Sequence, residues 1–232
     1  MGDVGRSANR EWSESTLLGG LGAADRSALL ALGTVVEWAN GKRIIVQGER
    51  NNQAYLLLSG IVKVSVRDDN GQSALLGIRV AGDMVGEMAA LDATPRSADV
   101  TTSGDVEARV IAAADLRAAA RRQPEITIGI AQMISRRLRW ANRRRLDFAA
   151  RDPGVRIARV LYEVVRGYGA RKATHWSLGV ALTQAEIASL AGVKLRTAEK
   201  ELQALERDGV LIRRYREIHV GELEALRVKA NG

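Results

Sequence analysis

A chain of 232 residues, 46% of them hydrophobic and without a long apolar run, has room for one large domain or two small ones with proper cores and offers no membrane span. The lack of cysteine excludes disulfides, thiolate zinc sites and cysteine-held iron-sulfur clusters, and makes a reducing cytoplasm the expected setting. The net charge of +8 is polarised: residues 1–120 carry 12 Lys and Arg against 15 Asp and Glu, residues 121–232 carry 23 against 12, so only the second half is suited to meet a polyanion by counterion release.

The opening MGDVGRSANREW is polar and lacks the apolar core of a signal peptide, and residues 1–15 are expected to form a loose tail. Leu17 to Leu32 has a helix-like apolar stripe in Leu21, Leu29, Leu30 and Leu32. The period then changes. Short β-favouring runs (43–46, 54–58, 61–66, 74–80 and 106–111) alternate with Gly41, Gly48, Gly60, Gly71, Gly82, Gly86 and Gly104, a pattern that predicts a compact antiparallel roll over 16–120. Asp69-Asn70-Gly71 is a hairpin signal within it.

The most telling stretch is Gly86 to Ala98, GEMAALDATPRSA. A glycine and a carboxylate, a short apolar turn and an arginine-serine pair suit a site for one phosphate joined to a ribose. Arg96 and Ser97 can hold the anion, Glu87 can accept from a sugar hydroxyl, and backbone N–H groups at the start of the short helix add fixed donors. Arg96 as a structural partner to a neighbouring carboxylate is the alternative.

From Pro124 to Phe148 the pattern is helical and long, with Ile126, Ile130, Met133, Ile134, Leu138, Ala141 and Phe148 on one broad side and Arg136, Arg137, Arg139, Arg143, Arg144 and Arg145 opposite. A lone helix of that length is marginal, so its apolar stripe is expected to pair with the same helix of a second subunit, residues 121–151 forming the dimerisation segment; packing on its own β domain is the other possibility. Trp140 is expected to cover the dimer seam. Asp152-Pro153-Gly154 breaks the helix and offers a hinge.

Residues 152–232 read as a DNA-binding domain. Val155 to Val165 is an apolar helix and Gly167 to Ser177 a loop. Thr183-Gln184-Ala185-Glu186 is a capping box opening a helix with Ile187 and Leu190 inward, Gly192 makes a turn, and a second helix over 195–208 buries Ala198, Leu202 and Leu205 before Gly209 ends it. This is helix-turn-helix grammar. Thr183 and Gln184 at the first helix, with Lys194, Arg196, Thr197 and Lys200 around the start of the second, are the expected DNA contacts. Two strands, 210–214 and 217–220, pair through Tyr215-Arg216 as a wing that lays Arg213, Arg214 and Arg216 on the sugar-phosphate backbone.

An enzyme needs a poised acid-base or nucleophilic group, and the two histidines, His175 in a loop and His219 in the wing, read as far apart and without a metal or triad pattern. No catalytic residue and no metal site is expected.

From about Leu17 onward, this order of parts resembles the CRP/FNR superfamily of bacterial transcription regulators. The resemblance implies an α+β fold: an N-terminal antiparallel β-roll of the cyclic-nucleotide-binding type, a long dimerisation helix and a C-terminal winged helix-turn-helix. It further implies a homodimer on double-stranded DNA with two-fold-related half-sites, a cyclic nucleotide as effector with cyclic AMP foremost, and RNA polymerase as partner. The family's phosphate-binding cassette is similar to Gly86, Glu87, Met88 and Ala89 followed by Arg96, Ser97 and Ala98. By that resemblance Glu87 holds the ribose 2'-hydroxyl and Arg96 and Ser97 the cyclic phosphate. Two positions depart from the family. Where cyclic-AMP-responsive members present a Thr-Ser or Thr-Asn pair to the base, this chain has Ala141 and Asn142, a loss of one hydrogen bond worth about 1 kcal/mol, or about fivefold in affinity. Where readers of TGTGA-type half-sites carry Arg-Glu-x-x-x-Arg, it has Leu195, Arg196 and Lys200, without the acid that accepts from a cytosine amino group, so its half-site is expected to differ from that sequence. A constitutive DNA binder with a silent sensor domain is the nearest rival reading.

Overall fold

The computed structural model describes residues 12–69, 71–214 and 217–232. The chain divides into two compact units, Met1–Arg139 and Trp140–Gly232.

In the first unit the stripe expected to make one helix makes two, α1 (Leu17–Gly20) and α2 (Ala23–Leu30), because Leu21 and Gly22 are extended and break the hydrogen-bond ladder. Eight strands follow: β1 (Thr34–Trp38), β2 (Arg43–Ile45), β3 (Ala54–Ser59), β4 (Ile61–Arg67), β5 (Ser73–Val80), β6 (Met84–Val85), β7 (Asp99–Thr102) and β8 (Val106–Ile111). They form two four-stranded sheets in the orders β1-β8-β3-β6 and β2-β7-β4-β5, with antiparallel pairing throughout, as a roll requires. Gly71, at φ +77, donates its N–H to the Asp68 carbonyl in the β4–β5 turn, and Asn70 of the expected hairpin signal lies outside the described residues.

Strand β3 explains how the layers stack. Its Tyr55 and Leu57 join Ile45, Val62, Val85, Val100, Val106 and Ala108 in a core drawn from both sheets. Its Ala54 and Leu56 point the other way, into a second core with Leu17, Leu18, Leu29, Met84, Ile111 and the helices that follow. A strand buried on both faces is read as a continuous apolar run, as AYLLL is. Those helices are α3 (Glu87–Asp92), α4 (Ala113–Arg122) and the long α5 (Pro124–Ala150), of which residues to Arg139 belong to this unit. Ile126, Ile130 and Met133 of α5 are buried in this second core, at 0%, 3% and 2% exposure. The stripe expected at a dimer seam is therefore, in its first half, the inner face of the chain's own domain.

The second unit begins with the last turns of α5 and continues with α6 (Pro153–Tyr168), β9 (Ala170–Arg171), β10 (Trp176–Ser177), α7 (Gln184–Ala191), α8 (Leu195–Arg207), β11 (Leu211–Arg214), β12 (Glu217–Val220) and α9 (Leu223–Asn231). Part of the 167–177 stretch read as a loop is strand: β9 and β10 complete a four-stranded sheet, order β11-β12-β10-β9. Pairing of β10 with β12 also brings the two histidines together, with ring centroids 4.4 Å apart, which corrects the expectation that they lie apart. Burial and then His219, Arg214 and Lys172 push the His175 imidazole below its usual range. Among the described residues no group of three or more His, Cys, Asp or Glu has the form of a metal site. No described helix is long and apolar enough to cross a membrane.

The corner at Asp152-Pro153-Gly154, expected to be a hinge, lies inside this unit. Asp152 is the N-cap of α6 and Pro153 its first residue. The chain on either side is tied together: Trp140 Nε1 donates to Glu163 Oε2 at 2.9 Å and Arg159 Nη1 to Asp147 Oδ1 at 2.6 Å. The indole N–H of Trp140 thus points to α6. Arg144 stacks on the Trp140 ring and donates to the Ser189 and Leu190 carbonyls at the C-terminus of α7, and burial pushes its pKa down to about 10. Phe148 lies against Gly192, where an added methyl would sit 2.5 Å from the ring.

Candidate functional site

The cassette begins where β6 ends. Gly86, at φ +75, caps α3 without a side-chain hydrogen bond, and a methyl there would stand 2.5 Å from Arg96 Nη1, so backbone conformation and crowding both require glycine. Ala93 leaves α3 at φ 58. The chain then runs along the β2–β3 loop: the Arg96 N–H donates to Glu49 O at 2.8 Å, and the Gly48 N–H to Arg96 O at 2.9 Å.

These bonds turn the Arg96 side chain inward. It is 3% exposed, and its guanidinium donates to Asn51 Oδ1 at 2.6 Å, Gly86 O at 3.0 Å and Gln53 O at 2.6 Å, with the Tyr55 ring 5.9 Å away. Asn51 is oriented in turn by donating to Glu49 Oε2 at 2.6 Å. Burial lowers the Arg96 pKa, but the group remains a cation. Among the described residues it makes no ion pair, and Glu49 and Glu87 are the carboxylates whose charge acts on it. Ser97 is exposed beside Met88, its Oγ 4.0 Å from the Met88 Sδ, while Ala89 and Ala98 are buried beneath.

Glu87 is buried and its Oε1 accepts from Arg137 Nη1 at 2.8 Å; Arg137 Nη2 also donates to Met84 O at 2.7 Å. Asp83 stands 3.9 Å from the same guanidinium, with burial pushing its carboxyl above the usual range against the pull of Arg137. Arg137 was expected on the outer basic face of α5. It instead extends the inward row Ile126, Ile130, Met133 by one more turn, and that spacing was the signal for it.

In the second unit the capping box is formed in both directions: Thr183 Oγ1 accepts from the Glu186 N–H at 3.2 Å and Glu186 Oε2 from the Thr183 N–H at 2.8 Å. Gly192 ends α7 at φ +61. Helix α8 buries Ala198, Leu202 and Leu205. Its N-cap, Lys194, makes no side-chain cap hydrogen bond, while the Thr197 and Ala198 N–H groups donate to the Lys194 carbonyl. Lys194, Arg196 and Lys200 are exposed and Thr197 half-buried; on α7, Thr183 is exposed and Gln184 half-buried. In the wing Arg214 is exposed, Arg213 is half-buried with Nη1 3.5 Å from Glu206 Oε2 of α8, and Arg216 lies outside the described residues.

Comparison with known proteins assigns both halves. Residues 35–123 match the cyclic nucleotide-binding domain and residues 155–228 the Crp-like helix-turn-helix domain. Over 167 residues, 72% of the chain, the sequence is 31% identical to a CRP-like cAMP-activated global transcriptional regulator of Mycobacterium tuberculosis, covering 75% of that protein. The chain belongs to the CRP/FNR family of transcription regulators. The cyclic AMP receptor protein of Thermus thermophilus is 30% identical over 175 residues, 75% of the chain and 77% of its own length. A CRP/FNR-family transcriptional regulator from the same organism superposes with a TM-score of 0.74 at 23% identity over 86% of the chain and 99% of its own. The c-di-GMP responsive regulator CLP of Xanthomonas campestris does so with 0.76 at 22% identity over 87% and 100%. Both establish the fold.

In this CRP/FNR-family chain residues 86–98 lie in the first unit and the helix-turn-helix in the second. Asn142, expected at the ligand base, is exposed on α5 in the second unit. Three residues that hold Arg96, namely Glu49, Asn51 and Gln53, were not singled out from the sequence; the polar loop GERNNQ before an apolar strand was the available hint.

Proposed function

We propose that this regulator is a homodimer whose affinity for double-stranded DNA with two-fold-related half-sites is set by a cyclic nucleotide, cyclic AMP ahead of cyclic GMP, held in the cassette. The observation that carries this is Arg96: a buried guanidinium whose hydrogen bonds, among the described residues, go to neutral oxygens, with no carboxylate paired to it directly, keeps an attraction for an anion. When bound, the nucleotide supplies a phosphate charge and a ribose hydroxyl. Arg96 then trades its two carbonyl partners for phosphate oxygens, and Ser97 donates its exposed hydroxyl. Gly86, Met88, Ala89 and Ala98 keep the backbone close to the ligand. Glu87 accepts from the ribose at Oε2 while Oε1 stays on Arg137, so occupancy is felt by α5. Asn142 is assigned the remaining contact to the base. The names of the relatives, cAMP-activated and cyclic AMP receptor, favour cyclic AMP.

The dimer is assigned to a different face of α5 from the buried row. Ile128 and Leu138 are 45% and 59% exposed, and with Ala131, Ser135 and Asn142 they follow a spacing of alternating three and four residues, the seam of a coiled coil. On DNA, Arg196 and Lys200 grip guanine edges or phosphate, and Lys194, Thr197, Thr183, Gln184, Arg213, Arg214 and Arg216 hold the backbone. The half-site differs from TGTGA because position 196 lacks an acid. RNA polymerase is the partner such a regulator addresses, the cytoplasm its setting, and neither catalysis nor a metal is assigned to it.

A second reading, a constitutive DNA binder, is favoured by one observation: Arg96 and Glu87 already have protein partners. Calorimetric titration with cyclic AMP and cyclic GMP separates the two. The expected result is saturable binding of one nucleotide per chain, tighter for cyclic AMP; no heat from either selects the constitutive reading.

A further inference from the structure

Taking α8 as the base-reading helix, as above, we infer that Glu199 is a specificity-determining residue, accepting from a cytosine amino group in each half-site and so restoring, one turn further along, the acid that position 196 lacks. Projected down the helix at about 100° per residue, Leu195, Glu199, Arg196 and Lys200 fall in that order within an arc of about 140°. Ala198, Leu202 and Leu205, the buried row, lie outside that arc, with Leu202 next to its Leu195 edge. Glu199 is therefore placed among the residues that meet the groove, between an apolar neighbour and a guanidinium.

Its surroundings give it no other task. The side chain is half-buried, and among the described residues no ion pair or hydrogen bond reaches it. By contrast Glu206, two turns on, is engaged by Arg213 of the wing. A carboxylate on a surface that approaches phosphates weakens binding to every sequence alike unless it meets a donor. In the major groove the donors are the amino groups of cytosine N4 and adenine N6, and a carboxylate pairs with the former. Leu195, 46% exposed at the first position of the helix, presents an apolar surface suited to a thymine methyl beside that cytosine.

The test is selection from random duplex DNA at fixed salt with the full-length wild type, Glu199→Gln and Glu199→Asp, followed by affinity measurements on the selected site and on its substitutions at each pair. Wild type is expected to select a C·G pair at one symmetric position of each half-site. Both variants lose about 5- to 100-fold of the preference there and keep it elsewhere. Glu199→Asp keeps the charge but withdraws the carboxylate, so its loss distinguishes reading from simple charge. Unchanged preferences in both variants, or a uniform shift across all sequences, overturns the inference and leaves the DNA-reading assignment standing. A wild type that selects no sequence overturns the assignment itself.

Discussion

Replacing Arg96 with alanine is expected to lower cyclic AMP affinity at least about 100-fold. Two hydrogen bonds from a charged group to a phosphate are worth about 3–6 kcal/mol together. No other cation of the described cassette is placed to compensate, since Arg137 is committed to Glu87 and Met84 O. The same change removes three internal bonds and leaves the Gly86 and Gln53 carbonyls without this donor, each a cost of about 1–3 kcal/mol, partly offset because a desolvated charge is gone. Thermal denaturation therefore accompanies the titration, which is run well below the variant's midpoint. Arg96→Lys keeps the charge but cannot span Asn51, Gly86 and Gln53 at once, and is expected to fall between wild type and alanine. Undiminished affinity in a folded Arg96→Ala protein would remove the cassette from the account.

The second large effect is on assembly. Ile128→Glu combined with Leu138→Glu places carboxylates on two exposed apolar positions of α5, so the chain itself loses no core contact while a helix pair gains buried like charges. Sedimentation velocity is expected to show a particle near the 25.1 kDa of one chain. Affinity for a two-half-site operator is expected to drop by about 100- to 10,000-fold, because the second half-site is no longer bound at high effective concentration. Circular dichroism is expected to be unchanged. A double variant that remains dimeric would place the seam elsewhere.

The parts of the molecule that could be read from the sequence are those whose physics is local. The α7–α8 pair was legible because Thr183, Glu186, Gly192 and the row Ala198, Leu202, Leu205 each act within one or two helical turns. Strands β3, β4, β5 and β8 were legible because glycines separate β-favouring runs. Strand β6 has two residues and exists only through its pairing with β3; β9 and β10 are equally short. Helix α4, rich in alanine and arginine, and α9 lack the broad apolar stripe that marks a buried helix, and neither was anticipated. Within the site, Gly86, Glu87, Arg96 and Ser97 could be singled out by type and spacing. What they touch could not. The Arg137 clamp on Glu87 and the Asn51 and Gln53 contacts to Arg96 join residues more than forty positions apart, and only the packed roll brings them together. Leu138 shares the sequence's broad apolar side of α5 with Ile126, Ile130 and Met133 for the same reason: all four are apolar, and only burial in the roll separates the three from Leu138.

The central claim, that cassette occupancy controls the reading head, is tested most directly by measuring operator affinity of the full-length protein by fluorescence anisotropy at fixed salt, with and without saturating cyclic AMP. The account predicts a change of about 5- to 150-fold, the usual range of coupling between two sites, which disappears in Arg96→Ala. Equal affinity at every nucleotide concentration, with cyclic AMP shown to be bound, would contradict it.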